Sequence, residues 1–406
     1  MSLIWIIGAI FHDVTRQLRM HQKSRNIQGR LVQTYGLEQK AAAEEYPRVD
    51  VLMSCYNEEP VLKDAVDSLE KSTYPNYQLV LIDDQSTDGT LGIMNQLKDE
   101  YNNIIVIASQ RNLGKAKELN TALRSSQSDY ILCVDADAVF HHQAISRLVT
   151  FLQHHPDCAA VTGRPSVLNK GKIITWLQWL EYLMNIDFIK RSQYFFTNHI
   201  LTVSGVLTMF RRQALLDVNG WDTSAMTEDI DVTWKFYKAG YTCGYEPGAL
   251  CRIYVPETIS GFIKQRIRWA RGGVEVTRKR FTYMKNLTMG AHLIGLDALL
   301  SYLWIIMVSY SFFRQIAEYI FARNLELRLD IIIVYFAVTL LFYLMAKVVN
   351  HDDPLVHIPL LSLLLVPVYF YVYWLYTIVV TLVAFYHAFD HITYAAWGDS
   401  DRGLAA

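Results

Sequence analysis

The apolar residues of this 406-residue chain are distributed unevenly, and that distribution constrains its fold more than any average does. Between Tyr46 and about Arg280 they occur in short runs separated by charged residues, a pattern typical of a globular α/β domain. From about Leu293 onward, the apolar stretches approach or exceed the roughly 20 residues needed to cross a hydrocarbon core about 30 Å thick. The sequence therefore predicts a globular domain followed by a membrane region, consistent with a composition that is 52% hydrophobic. The apolar stretches are Leu293–Phe313, Ile331–Val349 and Leu355–Phe389.

Two basic segments, Gln17–Arg30 and Val255–Lys285, flank the globular domain and adjoin apolar segments. Because positively charged residues next to membrane segments stay on the cytoplasmic side, this pattern predicts a cytoplasmic domain. The net charge of −1 gives no indication of nucleic acid as a partner. The five cysteines lie in or beside apolar runs without metal-like spacing, so we interpret them as buried thiols in a reducing compartment.

The third apolar stretch is too long for one crossing, since a straight helix over Leu355–Phe389 would measure about 52 Å. Pro359 and Pro367 predict an interruption within it. Two short crossings fit the sequence, and so does one interfacial helix followed by one crossing. The membrane region is therefore expected to contain three or four helices.

Short β-rich runs alternate with helical patterns through the globular domain. This alternation predicts a mainly parallel sheet covered by helices on both faces. The absence of a G-x-G-x-x-G sequence at the first helix disfavours a dinucleotide-binding fold. The predicted strands are Val49–Cys55, Gln78–Ile82, Ile104–Ala108, Tyr130–Val134 and Cys158–Thr162.

Polar residues follow three of these strands at the point where each strand ends. Asn57-Glu58-Glu59 follow the first, Asp83-Asp84 the second, and Asp135-Ala136-Asp137 the fourth. Each group alone is equally typical of a turn or a helix cap. Because ligands bind beyond the carboxyl ends of parallel strands, their shared location predicts a binding site.

The Asp135-Ala136-Asp137 sequence is a candidate cation site. Two carboxylates one residue apart at a strand end can converge on Mg²⁺ or Mn²⁺, which bridges carboxylates to substrate phosphates. Such a cation would neutralise a departing diphosphate. The pattern also occurs by chance in many chains, and its position after a buried strand is what gives it weight.

Thr227-Glu228-Asp229 lies in a polar break before an apolar helical run. A carboxylate there could remove a proton from an attacking hydroxyl, and a single base suits direct displacement with inversion. The alternative is a helix N-terminus in which Thr227 caps and the acids favour the helix dipole. Both interpretations can hold together.

Gln265-Arg266-Ile267-Arg268-Trp269 lies on a basic amphipathic segment just before the membrane region. An interfacial helix would account for its composition. It would not account for the spacing of the glutamine, arginine and tryptophan.

These motifs together resemble the processive glycosyltransferases of family 2, which include cellulose, chitin and hyaluronan synthases. Four motifs occur in order, and the resemblance is dense over about Pro47–Lys285. Finer similarity, for example at Pro256–Val276, is to the bacterial branch that makes β-1,6-linked N-acetylglucosamine polymers. The motifs are DDQSTDG (Asp83–Gly89), DAD (Asp135–Asp137), TED (Thr227–Asp229) and QRIRW (Gln265–Trp269).

The resemblance implies a GT-A type nucleotide-sugar-binding domain and a set of residues around the UDP-sugar donor. Asp135 and Asp137 would bind UDP and its divalent cation, with Asp137 the more direct ligand. Arg268 would face the diphosphate, whose oxygens match a guanidinium. The residues near the nucleobase, uridine and nucleotide would be Asn57 and Glu59, Asp84, and Lys115 respectively.

On the acceptor side, the resemblance implies that Asp229 is the general base within a catalytic pair with Glu228. Trp269 would be the surface on which the acceptor sugar stacks, since an indole suits the C–H face of a sugar. The other residues expected to contact the growing polysaccharide are Gln265, Ser204 and Gly205.

The resemblance and the residue patterns together divide the chain into five parts. We expect a short membrane anchor and polar connector (residues 1–45) and a cytoplasmic catalytic domain (46–255). Amphipathic interfacial helices (256–290) and transmembrane helices (291–390) follow, and then a tail (391–406) that resembles a gating segment. We expect no extra domain of the kind that binds cyclic-di-GMP, so such control would need a partner, for example a small accessory membrane subunit.

The expected function is therefore polymerisation of N-acetylglucosamine from UDP-GlcNAc, with export of the polymer across the bacterial inner membrane. Alternatives are a synthase of another β-glycan, such as hyaluronan, chitin or cellulose, and a non-processive enzyme that adds one sugar to a lipid carrier. A channel with a nucleotide-binding regulatory domain is a third class. It would leave Asp229 and Trp269 without a role.

Overall fold

The structure is a computed structural model that describes residues 7–15, 46–280, 282, 285, 287–322, 329–350 and 359–387. Most of the predicted anchor and connector, and the whole predicted gating tail, lie outside these residues. Residues 7–15 are helical. The eight strands are β1 (Val49–Cys55), β2 (Tyr77–Asp83), β3 (Ile104–Ala108), β4 (Tyr130–Asp135), β5 (Ala138–Phe140), β6 (Cys158–Val167), β7 (Leu207–Arg211) and β8 (Thr242–Ile253).

Helices connect and cover these strands. A π-helical turn (Tyr182–Asp187) joins α5 to α6, and a 3₁₀ segment (Leu360–Leu365) precedes α12. The α-helices are α1 (Leu62–Glu70), α2 (Thr90–Glu100), α3 (Lys115–Ser125), α4 (Ala144–His154), α5 (Ile173–Glu181), α6 (Phe188–Thr197), α7 (Arg212–Asp217), α8 (Glu228–Lys238), α9 (Ile259–Arg280), α10 (Met289–Ala322), α11 (Leu329–Val349) and α12 (Val366–His387).

The eight strands form one sheet in the order β3-β2-β1-β4-β7-β6-β8-β5. The first four are parallel to one another, as predicted. Beyond β4 the sheet is mixed, because β7 runs antiparallel to both of its neighbours and β5 runs antiparallel to β8. The expectation of a mainly parallel sheet is therefore correct for the first half only.

Apolar side chains cover both faces of the sheet, which is why the central strands read as continuous apolar runs. In β1, Val51 and Met53 belong to one core cluster. Leu52, between them, belongs to the cluster on the opposite face. This double burial fixes the register of β1, since a shift of one residue would exchange the two faces.

The helices that come after the sheet in the chain, α10, α11 and α12, lie in the predicted membrane region. Among the described residues, one helix, Met289–Phe321, is long and apolar enough to cross a membrane by length and composition. The apolar parts Phe336–Val349 and Tyr376–Tyr386 are shorter. The predicted three or four crossings are thus supported for one helix. Pro367 lies in the first turn of α12, where a helix tolerates proline, so the described part of the third stretch contains one long helix.

Candidate active site

The ends of four strands bring most of the predicted site residues to one edge of the sheet. Because β1, β2 and β4 are parallel, Asn57, Asp84 and Asp135 lie at their carboxyl ends. β7 is antiparallel to β4, so the Ser204-Gly205 segment that precedes it returns to the same edge. There the Asp135 backbone N–H donates to the Val206 carbonyl at 3.3 Å.

Lys115 connects the residues from different motifs. Its Nζ donates to Asp135 Oδ1 at 2.5 Å and to the Gly205 carbonyl at 3.3 Å, and lies 3.5 Å from Glu228 Oε1. Burial favours the neutral amine, but the two carboxylates outweigh it and raise the pKa of Lys115 above its usual value. Lys115 is therefore a permanent cation at the centre of an acidic site.

Asp84 holds the turn that carries this lysine. The carboxylate is fully buried and accepts the backbone N–H groups of Leu113 at 2.6 Å and Gly114 at 2.8 Å. Burial raises the pKa of Asp84, and these two hydrogen bonds oppose the shift. Gly114 has φ +81°, a conformation that favours glycine, and α3 begins at the next residue.

Asn57 and Glu59 fix the loop after β2. Asn57 Oδ1 accepts the Thr87 backbone N–H at 2.8 Å, and Glu59 Oε2 accepts that of Gly89 at 2.7 Å. Asn57 itself has φ +55°, which asparagine tolerates better than most residues. Both predicted nucleobase residues thus lie where β1 and β2 end, and both shape the loop between β2 and α2.

Asp135 and Asp137 are partly exposed at the end of β4. Besides burial, the charge of Asp137 contributes to raising the pKa of Tyr182 and of Cys251, so Asp137 lies near the π-helical turn and β8. Within the described part of the chain, no group of three or more His, Cys, Asp or Glu residues is arranged to hold a metal ion. Two partly exposed carboxylates at a strand end fit a hard divalent cation, which prefers oxygen ligands, and Asp135 and Asp137 would hold it.

Asp229 lies in the first turn of α8, facing the Ser204-Gly205 segment. Its Oδ2 accepts the Gly205 N–H at 3.1 Å, and its Oδ1 accepts the Ile230 N–H at 2.9 Å. Burial and the neighbouring Glu228 raise the pKa of Asp229 to about 6, against the opposing charge of Lys115. A carboxylate with this pKa is largely ionised at neutral pH and can still accept a proton.

Gly205 lies between these charged groups, and its lack of a side chain leaves room for the Lys115 ammonium. A Cβ there would come within 3.2 Å of Lys115 Nζ and 3.7 Å of Asp229 Oδ2. The backbone can therefore approach both groups. Ser204 is held by its N–H, which donates to the hydroxyls of Thr162 at 3.1 Å and Thr208 at 3.2 Å.

The QRIRW motif lies on α9, and its residues differ in exposure. Arg268 is exposed, whereas Gln265 and Trp269 are half-buried. Arg266 is buried and forms an ion pair with Glu181 at the end of α5. Neither Arg266 nor Glu181 was predicted from sequence to have a role, and their separation of 85 residues gives no signal of the contact.

Close packing of two helices brings QRIRW to the TED motif. A Cβ on Gly272 of α9 would lie 2.1 Å from Thr227 Oγ1 and 2.4 Å from Thr227 Cγ2. Thr227 occupies the N-cap position of α8, but its side chain makes no capping hydrogen bond. Its Oγ1 is buried and has no hydrogen-bond partner among the described residues. The predicted threonine cap is therefore not formed, although the acids do occupy the first turn.

The eight-stranded α/β sheet with carboxylates at the carboxyl edge of its parallel strands is of the GT-A-like glycosyltransferase type. The profile described as "Glycosyl transferase family 2" matches residues 50–218. The chain is 36% identical over 311 residues to the poly-beta-1,6-N-acetyl-D-glucosamine synthase of Staphylococcus aureus, which covers 76% of this chain and 71% of that protein. It is 31% identical over 413 residues to the enzyme of the same name from Staphylococcus epidermidis, and this match covers 99% of this chain and 96% of that protein. The chain belongs to glycosyltransferase family 2, in the branch of these synthases, and is a glycosyltransferase.

A solved structure supports the fold independently. The mannosyltransferase PcManGT from Pyrobaculum calidifontis, determined in complex with GDP-Man and Mn²⁺, superimposes with a TM-score of 0.57 at 20% identity. The match covers 96% of this chain and 99% of that one. At this identity the likeness concerns the fold.

Proposed function

We propose that the protein polymerises N-acetylglucosamine from UDP-GlcNAc into a β-linked polysaccharide, with β-1,6 linkages as in the polymer for which its relatives are named. The observation that carries the proposal is Asp229. The proposal is supported by the pKa of this residue, which is raised to about 6, and by the hydrogen bond that its carboxylate accepts from the Gly205 N–H. Gly205 also contacts Lys115, which is paired with Asp135 of the proposed donor site.

In the proposed reaction, Asp229 removes the proton of an acceptor hydroxyl as that oxygen attacks the anomeric carbon. A new C–O bond forms, the bond from the anomeric carbon to the diphosphate oxygen breaks, and UDP leaves with the bonding electrons. A single displacement inverts the anomeric configuration and therefore gives a β-linkage from an α-linked donor. Burial, together with the charge of Glu228, keeps the pKa of Asp229 high enough for proton transfer near neutral pH.

Residues of three strands would bind the donor. Asp135 and Asp137 would hold Mg²⁺ or Mn²⁺, a Lewis acid for the departing diphosphate. Lys115 adds a fixed positive charge beside Asp135, and Arg268 on α9 is exposed and available for the diphosphate oxygens. Asn57, Glu59 and Asp84 shape the two loops proposed to surround the nucleoside.

The acceptor would bind against α9 and the start of β7. The half-buried indole of Trp269 offers a flat apolar surface for the terminal sugar. Gln265 lies one helical turn before it, on the same side of α9. Ser204 and Gly205 would contact the acceptor from the opposite side through their backbone.

We also propose that the catalytic domain lies on the cytoplasmic side of the bacterial inner membrane and that the polymer leaves through the membrane region. The long apolar helix Met289–Phe321 supports an embedded protein. Growth of the chain at a cytoplasmic site next to membrane helices would let each addition be coupled to one step of export. Processive synthesis then follows if the product stays bound between additions.

Purified protein, incubated with Mg²⁺ and a panel of UDP-sugars, tests this function. We expect UDP release and long polymer with UDP-GlcNAc, and β-1,6 linkages by NMR of the product. Polymer from a different UDP-sugar would indicate another β-glycan synthase. Products extended by a single sugar would favour the non-processive transferase.

The Asp229→Asn variant supplies the matched test of the proposed base. We expect a loss of at least about 100-fold in turnover with UDP binding retained, as for removal of a general base. Asp99→Asn, an exposed carboxylate on α2, controls for the loss of one charge. Undiminished synthesis by Asp229→Asn would remove Asp229 from this role.

A further inference from the structure

A buried cluster surrounds Arg266, the second residue of the QRIRW motif, which the proposed reaction does not use. Arg266 is 4% exposed. Its Nη2 forms an ion pair with Glu181 Oε2, and its Nη1 donates to Gln265 Oε1 at 2.8 Å. The guanidinium carbon lies 4.2 Å from the ring centre of Trp269. The buried cation therefore lies against the proposed acceptor platform.

The geometry requires arginine rather than a generic positive charge. A guanidinium is planar, so it can stack on an indole while its edge pairs with a carboxylate. The same group also lies 4.9 Å from the ring centre of Phe262, one turn earlier on α9. A lysine ammonium would keep the charge but lose the stacked plane. Contacts of this kind are strongest when they are shielded from water, as here.

Glu181 is held in turn by a residue of the last described helix. The Tyr376 hydroxyl of α12 lies 3.3 Å from Glu181 Oε1, and the Tyr376 ring packs edge-on to Phe262 with centroids 4.9 Å apart. Glu181 is 7% exposed, and Arg266 and Tyr376 each supply a partner for one of its carboxylate oxygens. Three helices, α5, α9 and α12, thus meet at one ion pair.

We propose that Arg266, held by Glu181 and Tyr376, is a positioning residue that fixes the plane of the Trp269 ring and so sets the affinity for the acceptor sugar. The guanidinium occupies one face of the indole and leaves the opposite face for the sugar. The inference rests on the proposed role of Trp269. It links the acceptor platform to α12, a helix of the proposed membrane region.

The test measures acceptor affinity separately from donor binding. Initial rates are recorded at saturating UDP-GlcNAc with a short β-1,6-linked N-acetylglucosamine oligomer as the varied acceptor, and UDP binding is measured by calorimetry. We expect Arg266→Lys and Glu181→Gln to raise the acceptor KM about tenfold, with a smaller change in kcat and unchanged UDP affinity. Lys264→Gln, which removes an exposed charge two residues away on α9, should leave all three values unchanged.

A double-substitution cycle identifies the route of the effect. If Arg266 acts through Trp269, Trp269→Ala combined with Arg266→Lys should raise the acceptor KM no further than Trp269→Ala alone. Additive increases would indicate that Arg266 acts by another route and would overturn the proposal. An unchanged acceptor KM in both Arg266→Lys and Glu181→Gln would overturn it as well.

Two outcomes separate this proposal from the function on which it rests. If Trp269→Ala leaves the acceptor KM unchanged, the platform itself is wrong, and the proposal falls with it. If Trp269→Ala raises the KM and the positioning variants do not, only the positioning role is wrong.

Should Arg266→Lys lose UDP binding, Tyr376→Phe decides the question, because it removes a single hydroxyl. We expect a KM increase of a few-fold from that variant, and no increase would refute the proposal.

Discussion

At the scale of single residues, the site depends on the balance of charge around Asp229. Burial and Glu228 raise its pKa, whereas Lys115 and two backbone N–H groups lower it. Lys190 of α6 is a further charged group within electrostatic range, and its own pKa is lowered to about 8, chiefly by burial. The neighbours of Asp229 therefore determine its pKa, and this makes the pH dependence of the proposed reaction predictable.

We expect kcat/KM to rise with pH and to be half-maximal near pH 6, because Asp229 must be deprotonated to act as a base. Glu228→Gln removes a charge that raises this pKa and should move the midpoint to lower pH. Lys115→Gln removes a charge that lowers it and should move the midpoint to higher pH. The measurement is a pH profile of initial rates, with the exposed Lys98→Gln as the control. Shifts in the same direction for both variants would contradict this account.

The residues of the candidate site that were predictable from sequence are the polar residues that lie at or directly after the end of a predicted strand. Asp84 and Asp135 come directly after β2 and at the end of β4, so alternation of strands and helices sufficed to place them together. Arg266 and Glu181 were not predictable, because a contact across 85 residues leaves no trace in local spacing. Local spacing does not show that Arg266 is buried and Arg268 exposed, because it does not show which face of α9 packs against the rest of the protein.

At the scale of elements, the sheet shows where sequence patterns suffice and where they do not. β1 and β3 have the predicted bounds because both are largely apolar runs, although β1 is fully buried and β3, at the edge of the sheet, is only partly so. β6 continues to Val167 through Pro165, and β8 contains Pro247, although proline argues against a strand interior. β5, β7 and β8 were missed, and the mixed half of the sheet was missed with them. That half carries Ser204-Gly205 to the site.

The contact of α9 with the start of α8 gives a prediction about Gly272. In Gly272→Ala, the new Cβ would meet Thr227 Oγ1, Cγ2 and Cβ, all within 2.7 Å, so rotation of the threonine cannot relieve the clash. Such overpacking typically costs about 1–3 kcal/mol, and α9 would move away from α8. We expect lower thermal stability and a loss of transfer activity through separation of Trp269 from Asp229.

The adjacent Gly273→Ala is the matched control for this substitution. Its Cβ would approach only the hydroxyl of Tyr302, at 3.0 Å, which is the far end of a movable side chain. Alanine is favoured over glycine inside a helix by about 1 kcal/mol, so this variant should be neutral or stabilised. Thermal midpoints and initial rates of the two variants decide the matter, and equal behaviour would disprove the close contact.

At the scale of the whole molecule, a second buried network joins parts of the chain that are far apart in sequence. Asp187 accepts hydrogen bonds from Arg191 Nε at 2.8 Å and from the Tyr245 hydroxyl at 2.7 Å, and lies 3.5 Å from Arg164 Nη1. Arg191 also pairs with Asp13 of the N-terminal helical segment at 3.2 Å. Asn350, just after α11, bonds to several of these groups. The catalytic sheet, the N-terminal segment and α11 therefore share one set of partners.

Asp187→Asn should destabilise the whole molecule, because it leaves the Arg164 and Arg191 cations buried without their shared carboxylate. Removal of one partner of a buried pair costs about 3–5 kcal/mol, and the expected readout is a lower thermal midpoint of the purified protein.

The pH dependence of this stabilisation follows from the pKa of Asp187. Burial alone would raise that pKa, but the two arginines lower it from 3.8 to about 2. The stabilisation is therefore complete above the pKa of the unfolded chain and is lost as the pH falls through about 2. The difference in midpoint between wild type and variant should shrink between about pH 4 and pH 2, whereas the exposed Asp157→Asn should match wild type throughout. A constant difference over that range would show that the Asp187 charge is not what joins these segments.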